Sequence, residues 1–103
     1  MLYYGGNSSL MILYVEIECH IYEAQSLKDK RAVIKKVIHR LQNSFNITIS
    51  ELDYQNLWQR SLIGIATLSQ DRQHAEQVID ACLARIDSFT ELEYRTIERQ
   101  WYG

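Results

Sequence analysis

Leu13, Val15, Ile17, Cys19 and Ile21 alternate with Tyr14, Glu16, Glu18, His20 and Tyr22. That period of two predicts a strand over 13–21 with one face in a core and the other open. The period then changes. Over 27–45, Leu27, Ile34, Val37, Ile38, Leu41 and Phe45 recur at helical spacing, predicting an amphipathic helix. Ser26 and Asp29 have the spacing of a capping box at its start, and Asn43 or Asn46 can end it. A short strand is expected over 47–53, a turn at Tyr54-Gln55-Asn56, and a further strand over 58–69. Behind a capping Asp71, the spacing of Ala75, Val78, Ile79, Cys82, Leu83 and Ile86 predicts a second helix over 71–89. Leu92, Tyr94, Thr96 and Ile97, set among charges, mark a last strand over 92–97 at a sheet edge.

The order β-α-β-β-α-β predicts an α+β, ferredoxin-like domain: a four-stranded antiparallel sheet with two helices on one face. The other face lacks helices, and the first strand would present Tyr14, Glu16, Glu18 and His20 there. The third strand is apolar on both sides, with Leu62, Ala66 and Leu68 on one and Ile63 and Ile65 on the other. Whichever set faces outward needs a cover, so Tyr14, Glu16, Glu18, His20, Ile63 and Ile65 form a candidate interface. A homo-oligomer, a dimer first, is the expected consequence.

At 103 residues the chain suits one domain, expected over 11–103, with residues 1–10 and their Gly5-Gly6-Asn7-Ser8-Ser9 run as a flexible preface. An apolar share of 47% and a charged share of 23% exclude the compositions of disordered and collagen-like chains. The longest apolar run stops at Glu16, well short of a bilayer span. No basic stretch precedes it, so no signal peptide is expected. Cys19 and Cys82 fall in apolar-periodic segments, as reduced thiols do, and a cytoplasmic setting follows.

The net charge of −2 conceals a polarised distribution. Residues 28–40 carry Lys28, Lys30, Arg31, Lys35, Lys36 and Arg40 against Asp29 alone. Lys28, Lys30 and Arg31 occupy the first helical turn, where the dipole disfavours cations by about 0.3–1 kcal/mol each. Stability alone would place carboxylates there, so the arrangement points to an external anion such as phosphate. The plainer account is a solvated helix face. Trp58 and Arg60 add side chains able to stack on an unpaired base. Alternatively, Trp58 closes one end of the core while Arg60 pairs with Asp53 or Glu51 across the hairpin.

Ser26-Leu27-Lys28-Asp29-Lys30-Arg31, Leu57-Trp58-Gln59-Arg60 and Leu62-Ile63-Gly64-Ile65-Ala66, with the lead-in Glu16-Ile17-Glu18-Cys19-His20 and Glu23-Ala24, resemble the YlxP-like family, also called domain of unknown function 503. The similarity spans about residues 11–97. It implies a small ferredoxin-like domain, mostly bacterial, with no established biochemical activity. Family genes often stand among those for transcription, translation initiation and ribosome maturation, which implies an association with RNA or the ribosome. Tyr22 and Gln25 stand where the family often has Pro and His, and Tyr54 replaces a commonly acidic or amide residue. Members commonly begin near Met11.

No catalytic pattern competes. Glycines 5, 6, 64 and 103 are too scattered for a phosphate cradle, and no serine or cysteine stands in an elbow-like setting. His39 and His74 lack a recognisable nucleophile partner. Acylphosphatases share the expected fold, but Tyr22-Glu23-Ala24-Gln25 does not resemble their phosphate loop. Glu16, Glu18 and His20 share a strand face, yet Cys19 points the other way, so no metal site is expected. The expected function is therefore a non-catalytic, cofactor-free RNA- or ribosome-binding protein using Lys28, Lys30, Arg31, Lys35, Lys36, Arg40, Trp58 and Arg60. The rival is a homo-oligomeric protein-interaction or small-ligand module using the open sheet face.

Overall fold

The computed structural model describes residues 10–103; the expected preface lies, except for Leu10, outside the described residues. Six elements follow in order: β1 (Met11–Ile21), α1 (Leu27–Ser44), β2 (Thr48–Asp53), β3 (Arg60–Ser69), α2 (Arg72–Asp87) and β4 (Leu92–Tyr102). The strands form one sheet in the order β2-β3-β1-β4, and every neighbouring pair is antiparallel. This is the α+β, ferredoxin-like βαββαβ layout.

Both helices start on side-chain caps. Ser26 Oγ accepts from the Asp29 N–H at 3.0 Å, and the Asp29 carboxylate accepts from the Gln25 N–H at 3.1 Å. Asp71 caps α2 through the Gln73 N–H at 3.0 Å. The core lies between helices and sheet. Leu13, Val15, Ile17, Cys19 and Ile21 of β1 meet Ile34, Val37 and Leu41 of α1 and Ala75, Ile79, Cys82 and Ile86 of α2 in one buried cluster.

Two strands differ from the periodicity. β3 begins at Arg60 because Leu57–Gln59 belong to the preceding loop, where the Gln59 carbonyl accepts from the Ile21 N–H at 3.0 Å. β4 runs on to Tyr102, well past Ile97, pairing with β1 along its whole length. A bulge explains why the extension was hidden. Glu16 pairs with Glu98 while Ile17 pairs with Thr96, leaving Ile97 as an extra residue that reverses the alternation.

Candidate interaction surfaces

Position 30 falls in phase with Ile34, Val37 and Leu41, so the helix turns Lys30 into the protein, where it is 1% exposed. Its Nζ lies 2.7 Å from Glu51 Oε2 and donates to the Tyr54 carbonyl at 2.7 Å. The same carboxylate oxygen accepts from Ser61 Oγ at 2.7 Å. Lys30 is thus corrected out of the anion-binding set: it is a structural cation, tolerated inside because it is paired and hydrogen-bonded. The signal was a gap in the apolar stripe between Leu27 and Ile34, filled by a side chain with a long aliphatic stem.

Other cations of this helix are also engaged. Lys36 forms an ion pair with Glu91, and its ammonium sits 5.8 Å from the centroid of the Phe89 ring. Arg40 lies over the same ring at 5.6 Å. The hydrogen bond from Lys36, helped by the Arg40 charge, holds the Glu91 carboxyl below its ordinary range. These residues clasp α1 to the turn before β4. The capping box also occupies part of the backbone that an incoming anion would use. What remains is a line of three exposed cations, Lys28, Arg31 and Lys35, with no carboxylate in ion-pair distance among the described residues.

The loop between β2 and β3 is fastened at several points. Tyr54 adopts a positive φ of 64°, and its carbonyl accepts from both the Leu57 N–H and Lys30. Gln59 Nε2 donates to the carbonyls of Tyr22 and Ala24 at 3.0 and 3.1 Å. This anchoring brings the loop to the N-terminal end of α1 and leaves Trp58 outside the core, 53% exposed. Arg60 pairs with neither Asp53 nor Glu51. It stacks on Tyr54, 4.1 Å from the ring centroid, and its Nε donates to Glu18 at 2.6 Å. Arg95 holds the other oxygen of Glu18 at 2.8 Å. Hydrogen bonding from Arg60 is the main reason that the Glu18 carboxyl stays below its ordinary range.

The open sheet face carries Ile12, Tyr14, Glu16, Glu18 and His20 from β1, as the alternation required. Ile63 and Ile65 are not on it. Their β1 partners are Ile17 and Val15, all four are fully buried against the helices, and the two isoleucines are corrected out of the candidate interface. An apolar strand gives no phase of its own; Ser61 and Thr67 set it, because each is buried and bonded, to Glu51 and to the Asn46 carbonyl. Leu62, Gly64, Ala66 and Leu68 therefore face outward. Leu52 and Tyr14 close over Gly64, where an added Cβ would lie 2.8 Å from Leu52 Cδ1 and 3.2 Å from the Tyr14 ring.

Along this face Tyr102, Ile12 and Leu68 form an exposed apolar row across three strands. Two residues further along β1, Tyr14 donates to Glu16 at 2.6 Å. Burial, that bond and the neighbouring Glu16 and Glu98 charges raise the Tyr14 hydroxyl above its ordinary range. Glu16 and Glu98 are direct cross-strand partners. Neither has a cation in ion-pair distance among the described residues.

The family described as "Protein of unknown function (DUF503)" matches residues 12–99. This chain belongs to that family. A curated relative, the "Uncharacterized protein YlxP" of Bacillus subtilis (strain 168), is 52% identical over 93 residues, covering 89% of this chain and 100% of that protein. Among solved structures, the "De novo designed protein Foldit4" matches at a TM-score of 0.46 and 15% identity, covering 88% of this chain and 99% of that one.

Burial raises both thiols of this DUF503 domain, Cys19 to about 12 and Cys82 to about 11, so neither supplies a ready thiolate. No cluster of three or more His, Cys, Asp or Glu side chains converges as metal ligands among the described residues, and no described helix is long and apolar enough to cross a membrane. The DUF503 surface carries the exposed cations Lys28, Arg31 and Lys35 on the helix side of the sheet, and Ile12, Leu68, Tyr102, Glu16 and Glu98 on the open side.

Proposed function

We propose that this DUF503 protein is a non-catalytic binding domain that engages RNA, free or within a ribosomal particle, through Lys28, Arg31 and Lys35 of α1. The observation that carries the reading is that these three have no carboxylate in ion-pair distance among the described residues. Lys30 and Lys36 are matched by carboxylates, and Arg40 lies against Phe89, whereas Lys28, Arg31 and Lys35 face solvent. Three cations spaced over two helical turns match the repeating charge of a phosphate backbone. Trp58, exposed on the loop pinned beside the same helix end, offers a face for an unpaired base. Arg60 contributes by holding Tyr54 and Glu18. Two buried, unbridged cysteines support a reducing, cytoplasmic setting.

The test is sedimentation of the full chain with ribosomal particles through a sucrose gradient, at low and high salt and after nuclease treatment. Cosedimentation at low salt that is abolished by salt, by nuclease, and by joint Lys28→Ala, Arg31→Ala and Lys35→Ala substitution is the expected result. Free sedimentation at low salt, or cosedimentation indifferent to nuclease, would overturn the reading.

A further inference from the structure

We propose that the open face of the sheet docks a basic amphipathic polypeptide segment, whose cationic side chain meets Glu16 and Glu98 while flanking aliphatic side chains cover Ile12, Leu68 and Tyr102. The inference does not depend on the RNA reading, because α1 lies on the opposite face of the sheet. Charge selects the occupant. Two carboxylates facing one another on adjacent strands work against folding, whereas Glu18, further along the same face, is held by both Arg60 and Arg95. Glu16 and Glu98 receive no such cation among the described residues, although Tyr14 donates to Glu16 and brings its carboxylate to the border of the apolar row.

That row is itself unusual for solvated surface. Leu68 is 55% exposed, Tyr102 48% and Ile12 39%, side by side on three strands. Apolar side chains that border an uncompensated acidic pair fit a partner carrying the complementary pattern. A nucleic acid or an anionic membrane would bring phosphates against the carboxylates. A second copy of this face with the two-fold axis through the acidic pair would bring carboxylates against carboxylates, and the arginines of the face, Arg60 and Arg95, are already taken by Glu18. On α1 the cations Lys28, Arg31 and Lys35 stand beside only half-buried aliphatic side chains, Leu27 and Ile38, which leave little apolar surface to cover the row.

The experiment follows amide resonances of the isotope-labelled full chain during titration with two synthetic helical peptides, one built from leucine and lysine and the other from leucine and glutamate. The leucine–lysine peptide is expected to shift resonances around Ile12, Tyr14, Glu16, Leu68 and Tyr102, and the leucine–glutamate peptide to leave them in place. Joint Glu16→Gln and Glu98→Gln substitution removes a repulsion and leaves the core untouched. It is expected to weaken binding about tenfold with the rest of the spectrum unchanged. Leu68→Ser, on exposed surface, is expected to weaken it independently. Shifts elsewhere, equal response to both peptides, undiminished affinity of the glutamine variant, or displacement of the same resonances by an RNA oligonucleotide would overturn the proposal. So would a dimer of the chain alone that already covers this face.

Discussion

Lys30 shows how one residue can carry the wrong message in a linear reading. Its neighbours Lys28 and Arg31 are solvent-exposed, and by charge alone the three form one group; by helical phase Lys30 belongs with Ile34, Val37 and Leu41. Because its ammonium is matched by Glu51 and the Tyr54 carbonyl inside the protein, Lys30→Ala is expected to strand a mostly buried carboxylate. The loss should be about 2–4 kcal/mol of stability in urea denaturation, discounted for the partial exposure of Glu51. Joint Lys30→Met and Glu51→Gln substitution should restore most of it, since Ser61 can still bond the amide oxygen. Trp58 is the converse case. A tryptophan at a hairpin is easily read as a core plug, but this one projects from a fastened loop, so Trp58→Ala is expected to change stability by no more than about 0.5 kcal/mol. Its emission should be quenched or shifted when a structured RNA is titrated onto the protein.

At the scale of elements, β1, α1 and α2 were legible because each buries one side and exposes the other, and β1 and α1 keep that contrast from end to end. The caps were legible too: Ser26 and Asp71 each accept a first-turn N–H, and Ser26→Ala is expected to cost about 1 kcal/mol. β4 was only half legible, since the extra Ile97 reverses the alternation just where charges accumulate. The outward side of β3 was hidden because apolar residues occupy both of its faces. Only the bonds made by Ser61 and Thr67 decide the orientation. Long-range ion pairs such as Glu18 with Arg60 and Arg95, or Lys36 with Glu91, join residues that the sequence keeps far apart. Both carboxyls titrate below the ordinary value of 4.5, so the unfolded chain takes up their protons first as acid is added. Their stabilisation is complete above that value and is lost as pH falls through the lower folded one. Wild type is expected to be more stable than the Glu18→Gln, Glu91→Gln double variant at pH 6, and the gap between their denaturation midpoints to narrow steadily as the pH is lowered below 4.5.

The whole molecule presents two chemically opposed sides. Outward from α1 stand Lys28, Arg31 and Lys35; outward from the sheet stand Glu16, Glu98 and an apolar row. The charge asymmetry along the sequence anticipated this division, but composition alone could not separate free cations from those consumed in holding α1 to the rest of the fold. Anisotropy of a labelled structured RNA, titrated with the full chain across a series of salt concentrations, tests the central claim most directly. The account predicts measurable binding at low salt and a fall of log K with log salt whose slope shrinks by about 2–3 in the Lys28→Ala, Arg31→Ala, Lys35→Ala variant. Absence of binding by wild type at low salt, or the same affinity and slope for both proteins, would contradict it.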